Sequence, residues 1–225
     1  MDNNFYDRVY YKLSGDNGIK QLSPAKIREV EFLKSFFCPE AGKKLLDIGC
    51  GTGTFLKSLE ESGADLWGID ISANATNIAK KILSKPEQII CKNACPLPFG
   101  DNEFDYVTAW GAIEHFPSIL SILKEIKRVT KYEGKIAIMV PNVYYYKFIW
   151  DTFRKGSGPT KHQETEFFYS FKEWKELIQN AGLSVLKIFR HNKFNKHPIT
   201  IWLRNIFIPF YFSNHFVFIC TKSED

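Results

Sequence analysis

The sequence predicts an α/β fold in which a doubly wound, mostly parallel sheet is covered by helices on both faces. Three observations carry that prediction. Between residues 44 and 140, short apolar runs alternate with segments of helical spacing. The runs are continuously apolar, as strands read when both of their faces are buried. The connections are short, which suits strand–helix–strand crossovers in a parallel sheet.

In chain order, KLLDIG (44–49) is the first strand and runs into glycines. TFLKSLEESG (54–63) has helical spacing and ends at Gly63, a natural C-cap because glycine adopts the left-handed conformation readily. ADLWGID (64–70) is the second strand, and SANATNIAKKILS (72–84) is a helix opened by Ser72. EQIICKN (87–93) and FDYVTAW (104–110) are strands three and four. SILSILKEIKRVTK (118–131) is amphipathic, with Ile119, Ile122, Leu123, Ile126 and Val129 on one face. GKIAIMVPN (134–142) is strand five, stopped by Pro141. Upstream, Ser23 as N-cap and Pro24 in the first turn open a helix that runs to about Phe37. Downstream, Ser170 and Glu173 have capping-box spacing and open a helix from Phe171 to Gly182. LSVLKIFR (183–190) and HFVFICTK (215–222) bring the strands to seven. Two segments exceed this plan, 143–169 and 191–214, and long connections of that kind are lids, binding loops or tolerated decoration.

Composition bounds the function. A chain of 225 residues suits one large domain, 1–225, with 1–24 as an N-terminal cap segment. Apolar residues at 44% and charged residues at 24% exclude a disordered or fibrous chain. No apolar run approaches the ~20 residues of a spanning helix. The opening MDNNFYDRVYYK has no apolar core, so no secretory leader is expected. Five cysteines, an odd number, form no disulfide framework and point to a reducing, cytoplasmic setting. A net charge of +5 is too mild to mark a nucleic-acid-binding protein, though it is compatible with an anionic substrate or surface. The unusual quantity is the 16% aromatic content, crowded into 143–174 and 189–218, which serves a core or a binding surface.

LLDIGCGTGTFL (45–56) carries the chemistry. Gly49, Gly51 and Gly53 lie at the turn from the first strand to its helix, where glycine permits positive φ and a close backbone approach to a ligand. The N–H groups of the helix start suit a polar or anionic group. Asp47 ends the strand beside the same crevice, and Asp70 ends strand two. An acid at that second place receives the two ribose hydroxyls of a nucleoside. The spacing is G-x-G-x-G, not the G-x-G-x-x-G that cradles a pyrophosphate, which disfavours a nicotinamide dehydrogenase. The expected ligand is a nucleoside without a diphosphate, and Asp47 suits an ammonium group or a bound water.

These motifs resemble those of the class I S-adenosylmethionine-dependent methyltransferases. LLDIGCGTGTFL matches the family's first motif and GIDIS (68–72) its acidic second-strand motif. NACPLPFGDNEFDYVTAWGAIEHF (93–116) is similar to the adenine-side segment, strand four and a Glu-His pair. RVTKYEGKIAIMVPN (128–142) and HQETEFFYSFKEWKELIQNAGLSVLKI (162–188) resemble the later regions, so the likeness spans about 25–222. It is nearest to the small-molecule branch that includes ubiquinone-biosynthesis, sugar and natural-product methyltransferases. The resemblance implies a Rossmann-like, seven-stranded sheet whose last strand is antiparallel, with 143–169 and 191–214 as lid-like insertions over the acceptor. It implies S-adenosyl-L-methionine as cofactor and S-adenosyl-L-homocysteine as product. Gly49, Cys50 and Gly51 would pass beneath the methionine part and ribose, with Asp47 near the amino group and Asp70 on the ribose hydroxyls. Ile71 would pack on the adenine, and Asn93 and Ala94 would meet its edge. Ala109 and Trp110 would lie near the sulfonium and methionine, where Trp110 can add a cation–π contact. Asn93 departs from the family pattern, in which an acid often stands there.

An alcohol or phenol acceptor must lose a proton. His115 is the candidate base because it follows strand four, and the alternative is that Glu114 and His115 are structural. His162 is a second candidate. Cys91 and Cys95 read as buried free thiols, and no metal site is expected. Tyr6, Tyr10 and Tyr11 are candidates to fold over the cofactor, and ITIWLRNIFIPFYF (199–212) reads as a lid, a dimer contact or a membrane-surface element. The expected activity is methyl transfer to a small acceptor, apolar, aromatic or lipid-linked, most simply at oxygen. Transfer to nitrogen or carbon, and a non-catalytic cofactor-binding scaffold, are the alternatives. No nucleic-acid substrate is expected, since no appended RNA-binding module and no N-P-P-Y-type motif is present.

Overall fold

The computed structural model describes residues 30–35, 37, 39–156, 166–192 and 207–223. Seven strands form one sheet in the order β3-β2-β1-β4-β5-β7-β6. They are β1 (Lys44–Ile48), β2 (Asp65–Asp70), β3 (Ile89–Cys91), β4 (Phe104–Trp110), β5 (Thr130–Pro141), β6 (Leu183–His191) and β7 (His215–Lys222). β3 to β5 are joined in parallel through β2, β1 and β4, whereas β7 runs antiparallel to both β5 and β6. Helices fully bounded among the described residues are α1 (Thr54–Leu59), α2 (Ala73–Ile82), α3 (Ile119–Val129), α4 (Tyr146–Lys155) and α5 (Phe171–Asn180). The expected doubly wound, mostly parallel, seven-stranded sheet is therefore the fold observed.

The two-residue period of β1 divides the core. Leu45 points into a cluster with Phe37, Phe55, Leu56 and Ala79, while Leu46 and Ile48 point into another with Ile122, Ile126 and Trp174. α1 and α2 thus cover one face, and α3 and α5 the other. The predicted stripe of α3 is the buried one, with Ile122, Leu123, Ile126 and Val129 fully enclosed. Truncating one of these to alanine would cost about 2–5 kcal/mol, because the rigid sheet beneath cannot close the cavity.

Caps follow the expected chemistry. Ser72 accepts the Ala75 N–H, and Ser170 with Glu173 forms a reciprocal capping box. Gly63 ends the first helical segment in the left-handed conformation, although its last turn, Glu60–Ser62, is a tighter 3-10 turn. Two boundaries and the burial of two thiols differ from expectation. Pro86–Gln88 is a 3-10 turn, so β3 is short. The helix expected to reach Lys131 stops at Val129, because Thr130 turns its hydroxyl onto Ile126 O at 2.6 Å and starts β5 against Phe104. The thiols expected to be buried are more open, Cys91 exposed and Cys95 half-buried. Of the helix expected to end near Phe37, residues 30–35 are described and helical. Tyr6, Tyr10, Tyr11, His162 and most of 199–212 lie outside the described residues. Among the described residues no helix is long and apolar enough to cross a membrane. Nor do any three His, Cys, Asp or Glu among them group to hold a metal.

Candidate active site

The strand order reverses between β1 and β4, and ligands of doubly wound sheets bind at such a switch point beyond the C-terminal strand ends. The loops after β1, β2 and β4 meet there. Gly49, Gly51 and Gly53 all have positive φ, at 69°, 54° and 72°. The close approach that requires glycine is, however, partly internal. A Cβ on Gly49 would stand 2.5 Å from Ala112 Cβ, and one on Gly53 would stand 2.9 Å from Ala79 Cβ. The first amides of the turn are also spoken for: Gly49 and Cys50 donate to Ile69 O, at 2.8 and 3.1 Å. α1 has only six residues, so the expected anion site at a helix start gives way to a tightly folded backbone floor.

Asp70 orients that floor. Its Oδ2 accepts Gly51 N–H at 2.8 Å and its Oδ1 accepts Ser72 N–H at 2.9 Å. Asp47 is 3% exposed, and its Oδ1 accepts the hydroxyl of Thr108, its register mate on β4, at 2.7 Å. Between the two acids lies Cys50, buried under Gly68, whose thiol is pushed well up by burial and then by the negative charge of Asp70 and Asp47. The thiol is therefore inert, and Cys50 can offer a ligand only backbone. The same effect reports the sign of the cradle. Two buried acids make it negative, which fits a ligand bearing ammonium and sulfonium charges and opposes a pyrophosphate.

The remaining predicted contacts divide. Ile71 is half-buried beside Ser72, and Ala94 is buried at 6% exposure. Asn93, expected at the adenine edge, is exposed, and its Oδ1 accepts Cys95 N–H at 3.1 Å, so that oxygen is turned into its own loop. Ala109 is sealed in the α3 side of the core at 0% exposure and has only backbone to give. Trp110 points to the opposite face, as its neighbour on a strand must, and meets Phe55 edge-on at 5.4 Å. Its indole Nε1 is buried without a hydrogen-bond partner. An orphaned buried donor of this kind is what a site for a polar ligand leaves behind.

After β4, a 3-10 turn over Ile113–His115 presents Glu114 and His115. Glu114 is 4% exposed, its Oε2 has no hydrogen-bond partner, and burial pushes its carboxyl up to about 8. His115 Nε2 lies 3.9 Å from Glu114 Oε1, and burial lowers its imidazole, with Glu166 opposing. Gly111, at φ 65°, leaves its α-carbon face open toward Glu114, whose Oε1 lies 3.6 Å from where a Cβ would be. Phe167 N–H donates to Glu114 O at 3.0 Å, so the first long insertion abuts this turn. Thr108 was missed in the sequence, although a small hydroxyl residue between Val107 and Ala109 in an apolar strand was the signal for it. Glu114 was legible only as one of a pair, since burial of the acid is a tertiary fact.

Comparison with known proteins agrees with this geometry. A family model described as a methyltransferase domain matches residues 20–188. Demethylmenaquinone methyltransferase of Bacillus licheniformis is 33% identical over 192 residues, covering 78% of each chain. That of Staphylococcus haemolyticus is 32% identical over 205 residues, 81% of this chain and 82% of the relative. A solved SAM-dependent methyltransferase from Aquifex aeolicus shares the fold, with a TM-score of 0.65 and 19% identity over 99% of both chains. The chain belongs to the class I S-adenosylmethionine-dependent methyltransferases, in their small-molecule branch.

Proposed function

We propose that this enzyme methylates a small, apolar aromatic acceptor at a hydroxyl oxygen. One observation carries the proposal: a buried Glu114, its carboxyl pushed up to about 8, against a half-buried His115 whose imidazole burial lowers, beside a negative cradle. When bound, S-adenosyl-L-methionine supplies an electrophilic methyl group on a sulfonium and is released as S-adenosyl-L-homocysteine. Asp70 would receive the ribose hydroxyls and Asp47 the ammonium, directly or through water. The backbones of Gly49, Cys50 and Gly51 would underlie the ligand, Ile71, Asn93 and Ala94 would border the adenine, and Ala109 and Trp110 the methionine end.

His115, held neutral by burial, takes the acceptor's proton. Glu114, 3.9 Å away, would compensate the imidazolium charge as a carboxylate, its own proton having gone to solvent before the acceptor's is taken. The dry wall avoids a free charge, which low dielectric would penalise. Loss of the sulfonium charge during transfer is favoured by the same dryness. The insertions 143–169 and 191–214 of this single domain, 1–225, would wall the acceptor side. The relatives' name, demethylmenaquinone methyltransferase, supports an apolar, ring-bearing acceptor. It also favours a second reading, transfer to a ring carbon conjugated with the ionised hydroxyl, which needs the same proton removal. The free thiols suit a cytoplasmic setting.

Calorimetric titration with S-adenosylhomocysteine, with NAD as control, tests the cofactor; micromolar binding of the first alone is expected. Isotope-labelled methyl transfer to a prenylated naphthol then tests the acceptor. Label recovered as a methyl ether supports oxygen, label on the ring supports carbon, and absence of binding to S-adenosylhomocysteine overturns the proposal.

A further inference from the structure

The apolar side of α4 faces outward. With about 3.6 residues per turn, Tyr146, Ile149, Trp150 and Phe153 share one arc of the helix. Ile149 is 43%, Trp150 58% and Phe153 85% exposed. Phe148, from the other side, anchors the helix on Tyr145 and Phe168 at 5.2 and 5.5 Å. This inverts an ordinary surface helix, whose apolar stripe faces the core. Lys147 and Arg154 border the exposed arc, and the helix's one acid, Asp151, is engaged by Lys155 at 3.2 Å.

A second aromatic strip is tied to the first. Asn142, fully buried after β5, donates to Tyr211 O and Ser213 O at 2.8 Å and accepts Tyr144 N–H at 3.0 Å. Tyr144 and Tyr211 are more than half exposed. Both strips follow the C-terminal end of β5, the edge of the sheet that carries Glu114 and His115. Phe148 rests on Phe168, and the adjacent Phe167 bonds Glu114 O.

We infer that α4 docks on an anionic lipid bilayer and that the acceptor reaches Glu114 and His115 from it. Tryptophan, phenylalanine and isoleucine beside a cationic border suit the interfacial region, with the rings at headgroup depth and the cations on anionic lipid. A second copy is a poorer fit, since a twofold contact would set Lys147 and Arg154 near their own equivalents. The inference rests on the apolar-acceptor proposal for its purpose and is tested apart from it.

The test is vesicle co-sedimentation of the full chain with phosphatidylcholine alone and with added phosphatidylglycerol. Binding is expected only with the anionic lipid and should weaken with salt. The double variant Trp150→Ala, Phe153→Ala should lose affinity by about a hundredfold, roughly tenfold per aromatic ring. Lys147→Glu, Arg154→Glu should lose roughly tenfold or more. Both variants should bind S-adenosylhomocysteine as the parent does, so failure on vesicles is separable from failure of the enzyme assignment. No binding to anionic vesicles by the folded parent, or equal binding by the variants, overturns the inference. So does a change of solution mass in the variants without a change on vesicles, which would assign the face to a second copy.

Discussion

Asp70 and Trp150 stand at the same edge of the sheet in opposite surroundings. Asp70 is 8% exposed, with each carboxylate oxygen bound to a backbone N–H. Trp150 is 58% exposed and stacks on Phe153, which is itself 85% exposed. Around Asp70, polar groups are buried and held by geometry, so small changes are penalised by lost hydrogen bonds and clashes. Around Trp150, apolar groups are solvated and little in the folded chain depends on them. One half of the edge buries polar groups in fixed geometry, and the other leaves aromatic rings in solvent.

The largest expected effect is at Gly49. Valine there combines a strained positive φ with a contact to Ala112 that no Cβ tolerates, and should destabilise the fold by about 3 kcal/mol or more. Thermal denaturation measures it. Pairing Gly49→Ala with Ala112→Gly should recover the clash but not the backbone strain. Full recovery would show that packing alone requires the glycine.

Glu114→Gln comes next. Activity of the parent should rise with pH through about 8 as the carboxyl becomes able to compensate His115, and the variant should lose that rise and roughly 10²–10⁴ in kcat. A flat parent profile would return the pair to a structural role. Stability moves the other way. The folded carboxyl titrates near 8 and the unfolded one near 4.5, so the native state binds more protons between those values. The parent should lose stability as pH climbs from 4.5 to 8, by an amount on the order of a few kcal/mol, and the glutamine variant should not.

Asp70→Ala should weaken S-adenosylhomocysteine by about 1–3 kcal/mol and also lower the melting temperature, because Gly51 and Ser72 lose an acceptor. Unchanged calorimetric affinity would sink the ribose role. The smallest expected effect is on the other half. Trp150→Ala with Phe153→Ala should alter stability by no more than about 0.5 kcal/mol, since both rings face solvent. A larger loss on chemical denaturation would mean that the arc is packed and would erase the contrast.

The amino-acid order alone determined the strands, their sequence along the chain and the glycine turn flanked by two acids. Those features are written in local periods and spacings: apolar runs between 44 and 140, the glycines at 49, 51 and 53, and acids closing β1 and β2. Ser170 with Glu173 is legible for the same reason, because a capping box spans only one helical turn. Burial and long-range contact were decided by the tertiary structure. Ala109 faces the core and Trp110 the opposite side, Asn93 turns its oxygen inward, and Gly49 is required by Ala112, which is 63 positions away in the chain. Glu114 titrates near 8 only because the folded chain removes water from around it. The aromatic excess of 143–174 could have been core or surface, and only the packing of Phe148 inward turns Trp150 and Phe153 out. A helical period says which residues share a face, but not what that face meets, because that depends on elements far away in sequence.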